Sequence, residues 1–210
     1  MVHSLQIRGQ HFELHPSGVL FWKEPAFLIV SDVHLGKVSH FRKYGAAVPR
    51  EAIPGNFGML DACVEYFNPK GIYFLGDLFH SYLNSEWRLF EAWAKRTGCN
   101  MVLVAGNHDI ISPLKYEALG IQVVPEMVRE GFLFTHHPEE REGYFTVSGH
   151  IHPAIRLRGK GRQSLRLPCF FKTSGQLILP AFGSFTGMQT MEKKVGNEVF
   201  AIADRQVIKI

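Results

Sequence analysis

The chain has little cysteine. Its 210 residues contain only Cys63, Cys99 and Cys169, and no Cys-x-x-Cys spacing. An odd, widely spaced set argues against a disulfide framework or a zinc knuckle and predicts a reducing, cytoplasmic setting. Long apolar runs are also missing. None is longer than Ala26–Val30, far short of the ~18 residues a membrane span requires. Met1–Leu5 shows no basic segment leading into an apolar one, so no signal peptide is expected. There is no low-complexity tract, internal repeat or linker. Charged residues make up 20% and hydrophobic residues 46%, which excludes an intrinsically disordered chain. The expectation is one α/β domain over residues 1–210. Acidic residues are the scarcer charge: 19 Asp and Glu against 23 Lys and Arg give a net charge of +4. That balance permits a polyanionic partner without requiring one.

Histidine, in contrast, is plentiful at 11 residues. Six of them (His34, His108, His136, His137, His150 and His152) stand in short polar clusters directly after apolar runs. Those runs read as strands at Val19–Trp22 and Ala26–Ser31, split by the hairpin-like Lys23-Glu24-Pro25, and at Ile72–Leu75, Met101–Ala105, Phe132–Thr135 and Phe145–Ser148. Helices are predicted from Pro54 to Phe67 and from Glu86 to about Arg96. The second has Ser85 as its cap, Trp87, Phe90 and Trp93 on one face, and Gly98 just past its end. Shorter strand-like runs follow at Leu165–Leu167, Gln176–Leu179, Val199–Ala203 and Val207–Ile210. The first half thus alternates strand and helix, and the second half is mostly strand.

Five polar clusters each follow a strand-like run: Asp32-x-His34, Gly76-Asp77, Gly106-Asn107-His108-Asp109, His136-His137 and Gly149-His150-x-His152. Singly, each is a turn or a hydrogen-bonded loop histidine. Jointly, in an α/β sheet whose loops converge beyond the strand ends, they assemble Asp, His and Asn around one crevice. A mixed nitrogen and oxygen set without thiolate suits Mn, Fe or Zn in an open catalytic site. Asp77, central in the array, is placed to bridge two ions, and such a pair clamps the attacking and leaving oxygens of an in-line displacement.

These five blocks resemble the signature of the calcineurin-like metallophosphoesterases. The resemblance implies a four-layer α/β/β/α sandwich with the active site at the strand-end rim and two divalent ions, most simply Mn, with Fe or Zn as alternatives. It further implies that Asp32, His34, Asp77 and His152 hold one ion and that Asp77, Asn107, His136 and His150 hold the other. His108 would bind no metal and would protonate the leaving oxygen. Gly76-Asp77-Leu78-Phe79-His80 is similar to the nuclease branch of that superfamily, which makes His80 a second phosphate-side candidate. More strings, among them Asp32-Val33-His34-Leu35-Gly36-Lys37, Phe41-Arg42, His136-His137-Pro138 and Leu179–Gly187, resemble the bacterial ligase-associated DNA damage response endonuclease family, PdeM. Met188 stands where that pattern has a second glycine. This closer likeness implies hydrolysis of DNA phosphodiester bonds in repair, beside a DNA ligase, a helicase and an exonuclease, with a homodimer possible and no membrane partner.

Lys37 and Arg42, after the first ligand loop, are substrate-binding candidates. Arg156, Arg158, Lys160, Arg162 and Arg166 form either a solvated hairpin face or a strip for phosphate backbone. The same centre also serves a phosphomonoesterase or a hydrolase of small nucleotide diesters. A non-catalytic scaffold on this fold would have lost ligands, and none is missing. Trp87 and Trp93 are read as packing, and the cysteines as buried thiols.

Overall fold

The structure is a computed structural model that describes residues 1–37, 52–80, 82–183 and 186–210, with the side chains of 52–54 excepted. Two sheets face each other. The first runs in the order β1 (His3–Ile7), β2 (Gln10–Leu14), β3 (Leu20–Trp22), β4 (Phe27–Val30), β5 (Gly71–Leu75), β6 (Asn100–Val104), β7 (Ile121–Val124). Strands β1 to β4 are antiparallel neighbours, and β4 to β7 are all parallel. Parallel neighbours need crossovers. These contain α1 (Ala52–Phe67), α2 (Ser85–Thr97) and α3 (Pro113–Glu117).

The second sheet holds β8 (Met127–Arg129), β9 (Phe132–Phe134), β10 (Phe145–Ser148), β11 (Pro153–Arg158), β12 (Ser164–Lys172), β13 (Gln176–Ile178) and β14 (Gln189–Thr190). Strands β15 (Glu198–Ala203) and β16 (Gln206–Lys209) join through β12. Three tight hairpins share one device. Arg8-Gly9, Glu130-Gly131 and Asp204-Arg205 are two-residue loops with both φ angles positive, from 47° to 78°. That twist matches the flanking strands.

The main core lies between the sheets. Phe12, Trp22 and Tyr73 from the first sheet meet Phe132, Phe134, Phe170 and Phe200 from the second, with Phe12 and Phe132 edge to face at 5.2 Å. A second core lies under the helices, where Phe74, Phe90, Trp93 and Tyr116 pack. Strand β5 feeds both and is buried at every residue, as a central parallel strand should be. Among the described residues, all three helices lie in the half of the chain that builds the first sheet. The outer face of the second carries a smaller cluster, Ile155, Cys169, Phe171, Ile178, Val199 and Ala201, with Met191 packed against it.

The elements expected from sequence are present, with some differences. Helix α2 is capped by Asn84, whose side chain accepts the Glu86 N–H at 2.8 Å, so the cap sits one residue before Ser85. Gly98 closes that helix with φ 64°. Trp87 and Trp93 are buried packing residues. Cys63 and Cys169 are buried, while Cys99 is half-buried. No helix among the described residues is long and apolar enough to cross a membrane.

Candidate metal centre

Strands β4, β5, β6, β9 and β10 end at one rim, and the five polar clusters leave from those ends. The loops are tied to each other rather than to solvent. The Asp32 N–H donates to the Gly76 carbonyl at 3.2 Å, His34 to Asp77 at 2.9 Å, and Gly149 to His136 at 3.1 Å. Gly76 adopts φ +77°, and a Cβ there would lie 2.2 Å from His136 Nδ1. Only glycine allows the β5 exit and the His136 ring to approach so closely.

Five of the seven ligand candidates have left-handed backbone: Asp32, His34, Asp77, His150 and His152, with φ between 50° and 67°. Such a conformation costs about 1–2 kcal/mol for an L-residue, and Asp and His tolerate it better than most. The strain is concentrated in the loops that aim the ligands.

Two groups of donors result. Asp32, His34 and His152 form one, and His136, His137 and His150 another, with Asp32, Asp77 and His136 linking them; within each group the ligand atoms lie within 4.8 Å of one another. The contacts inside the groups are of an unusual kind. His136 Nδ1 lies 3.0 Å from the Leu75 carbonyl, which only accepts, so this nitrogen carries the proton. In neutral His136 the other nitrogen, Nε2, is bare. It faces Asn107 Oδ1 at 3.0 Å, His150 Nδ1 at 3.1 Å and Asp77 Oδ1 at 3.4 Å. His152 repeats the pattern. Its Nδ1 donates to the Gly187 carbonyl at 2.9 Å, and its Nε2 faces Asp32 Oδ1 at 3.2 Å and His34 Nε2 at 3.4 Å. Lone pairs pointed at lone pairs are reconciled by a metal ion between them or by a proton on one imidazole. Atoms held about 2.1 Å from a common ion stand about 3.0–3.4 Å apart, which is the spacing seen. The donor set therefore fits divalent ions of the Mn, Fe and Zn kind.

Electrostatics keep these ligands ready. Burial pushes the His34 imidazole down to about 3, so it stays neutral with its lone pair available. Burial also lowers His150. Desolvation would raise Asp32, but hydrogen bonds from His152 and Ser31 outweigh it and hold the carboxylate below its ordinary range. His152 is the exception: burial pulls against its charge, but its bond to Asp32 prevails and raises it, so a metal ion arriving there displaces a proton.

Asp77 also accepts the His108 N–H at 2.9 Å, which fixes the acid candidate beside the array. The His108 ring is exposed and lies 4.6 Å from the His80 ring and 6.0 Å from that of His34. His80 itself is 5.4 Å from His34. Burial lowers the Lys37 ammonium from its ordinary value, and attraction from Asp77 and Asp32 offsets only part of that. Arg42 lies outside the described residues.

Asp109 and His137 belong to the clusters read from the sequence, where Asp109 is open to orienting His108 or a neighbouring ligand and His137 to a supporting or merely structural place. Glu86, Ser31 and two backbone carbonyls carried no such signal. Asp109 joins two loops, one oxygen accepting the Phe79 N–H at 3.1 Å and the other the Gly106 N–H at 2.9 Å. Its burial pushes the carboxyl up to about 6. Buried Glu86 of α2 accepts the Gly36 N–H at 2.7 Å. Ser31 donates to Asp32 Oδ2, and the carbonyls of Leu75 and Gly187 orient imidazoles. His137, 4.0 Å from His150 ring to ring, falls within the second donor group.

A family model for the calcineurin-like phosphoesterases matches residues 25–173 of the chain. Among solved structures, a nuclease, MPE, from Pseudomonas putida is similar with a TM-score of 0.84 at 28% identity, each chain covered completely. A phosphoesterase from E. coli, Yfce, shows a TM-score of 0.44 at 13% identity, covering 88% of this chain and 97% of its own. No curated protein sequence matches the chain.

Proposed function

Because the chain belongs to the calcineurin-like phosphoesterase family, and is thus a metal-dependent phosphoester hydrolase, we propose that its substrate is DNA and that it cuts phosphodiester bonds at a two-ion centre. The observation that carries this reading is the pairing of His80 and His108, 4.6 Å apart, over the open side of the ligand array. A phosphodiester presents one leaving oxygen to protonate and non-bridging oxygens to hold. Two adjacent imidazoles provide for both. The likeness over the full length to a nuclease supports a polymeric substrate.

In this reading Asp32, His34, Asp77 and His152 hold one ion, and Asp77, Asn107, His136 and His150 the other. Divalent ions there supply charge neutralisation at the phosphoryl group and a lowered pKa for water. The chain's own residues do the rest. Lys37 and His80 hold the non-bridging oxygens. A water oxygen bonds to phosphorus opposite the leaving oxygen and releases one proton to solvent, the bond from phosphorus to the leaving oxygen breaks, and His108 gives that oxygen a proton. Asp109 sets the spacing of the two imidazoles by pinning the backbone of both loops. Mn is the ion the family likeness implies, while the donor set itself accepts Mn, Fe or Zn. A repair setting beside a ligase, a helicase and an exonuclease rests on the sequence likeness alone.

The test is nicking of supercoiled plasmid by chelator-stripped protein given Mn, Mg or no metal. Nicked circles are expected only with metal. His108→Ala should lower the rate by ~10²–10⁴-fold while bound metal stays at the wild-type level. Faster turnover of p-nitrophenyl phosphate than of its bis-ester, without plasmid nicking, would replace this reading with a phosphomonoesterase.

A further inference from the structure

The stretch from Gly143 to Met191 contains no Asp or Glu and six Lys or Arg. The whole chain nets +4, so everything outside this stretch nets −2. Five of the six cations, Arg156, Arg158, Lys160, Arg162 and Arg166, sit on the β11–β12 hairpin and are exposed. Among the described residues none of the five side chains makes a hydrogen bond or ion pair, whereas those of Arg8, Arg96, Arg129 and Arg141 all have partners. Repulsion among unpaired like charges is tolerated where an anion is due to arrive.

The register shows where this hairpin goes. Strand β10 runs to the rim and ends at Ser148. β13 is parallel to β10, β12 antiparallel to β13, and β11 antiparallel to β12. Hence β11 heads the same way as β10, out past the rim that carries the ligands. It begins directly after His152. Arg156 and Arg158 are four and six residues further, so their Cα atoms stand roughly 13 and 20 Å beyond His152 along extended backbone.

The two faces of the hairpin differ. Ile155, Leu157 and Leu167 pack on the apolar cluster of the outer face. Arg156 pairs in register with Arg166 and shares its face with Arg158, because alternate residues point the same way. That face continues the one on which Phe170 enters the core between the sheets. Arg156, Arg158 and Arg166 therefore look toward the mouth of the site rather than away from it.

We infer that the β11–β12 hairpin is an arm that binds the sugar-phosphate backbone of the DNA substrate away from the cut, holding the polymer across the rim. This rests on the proposed DNA reading. The arm carries no reacting group, so its contribution is to polymer affinity and not to bond cleavage.

The experiment compares wild type, a variant with Arg156, Arg158, Arg162 and Arg166 all changed to Gln, and the same four changed to Lys. A fourth protein, Arg88→Gln with Lys95→Gln on α2, controls for the loss of positive charge elsewhere on the surface. Binding to a labelled oligonucleotide duplex is measured over a salt series, and hydrolysis of plasmid and of bis-p-nitrophenyl phosphate in parallel. Each phosphate contact contributes ~0.9 to the slope of log affinity against log salt. The Gln variant should bind roughly tenfold or more weakly with a slope shallower by about 2–3. Its plasmid-to-diester rate ratio should fall correspondingly. The Lys variant should recover most of the affinity, and the α2 control should match wild type. An unchanged slope in the Gln variant, with wild type cutting plasmid, overturns the arm and leaves the DNA reading standing. Wild type that hydrolyses the small diester but neither binds nor cuts DNA overturns both.

Discussion

Gly149, between β10 and the His150 loop, offers the most direct test of how tightly the ligands are held. A Cβ at this position would lie 1.6 Å from Ser31 Oγ and 2.5 Å from Asp32 Oδ2. Asp32 Oδ2 also accepts the His150 N–H at 2.9 Å, so one methyl group would strike the hub that joins both donor groups. Ser31 and Asp32 are fully buried and cannot swing into solvent. To regain ordinary van der Waals distance the serine hydroxyl or the β10 end must move by about 2 Å, and overpacking of this kind costs about 1–3 kcal/mol. In a chain of this size each kcal/mol lowers Tm by about 2–4 °C, so Gly149→Ala should melt about 2–12 °C below wild type. Displacement of a reacting constellation by ~1 Å costs roughly 10²-fold in rate. Turnover of bis-p-nitrophenyl phosphate in Mn should fall by at least that much, and bound metal, read by elemental analysis, should fall with it. A Gly149→Ala protein with wild-type Tm and turnover would refute the packed-hub account.

Asp109→Asn should destabilise by about 1–3 kcal/mol, visible in chemical denaturation, because an amide can accept only one of the two N–H groups that the carboxylate now serves. Its His80–His108 spacing should loosen, and kcat should fall more than metal content. Metal-free protein should lose stability as pH falls from about 6.5 toward 3. His34 binds a proton in the unfolded chain below its ordinary value but resists it when buried, so the unfolded state gains protons over that window. Thermal melts of chelated protein between pH 7 and pH 4 check this, and His34→Asn should flatten the profile. Asp77→Asn should abolish plasmid nicking and lower bound metal below that of His108→Ala, since Asp77 faces His136 while also accepting the His108 N–H.

The candidate metal ligands were legible in sequence because coordination demands particular residue types, and because each cluster follows an apolar strand whose end must lie at the rim. His80 was legible only through its string, and the structure sets it beside His108 and His34. Backbone partners carried no such signal: the carbonyls of Leu75 and Gly187 orient two imidazoles, yet any residue supplies a carbonyl. Helix α2 was clear from Trp87, Phe90 and Trp93, but two adjacent capping residues left its start ambiguous by one. Strands β1 and β2 went unread because their outward positions are polar and their inward ones sparse. Strand β11 was hidden for a different reason. Its alternation of Ile155, Arg156, Leu157 and Arg158 is a strand pattern, but the arginines drew it into a charge strip. The implied helical cover of the second sheet came from likeness and not from periodicity, and every helix among the described residues precedes the first strand of that sheet.

The ligands are spread unevenly along the chain. Asp32, His34, Asp77 and Asn107 come from the first sheet, and His136, His150 and His152 from the second. During synthesis the first sheet can form while the histidines of the second are still inside the ribosome, since domains fold as the chain emerges. A nascent or truncated chain ending before His136 would hold the oxygen ligands and one imidazole but neither complete donor group. Hydrolytic competence thus arrives only when the sandwich has closed, and proteolytic loss of the second sheet would disarm the enzyme rather than release an active fragment.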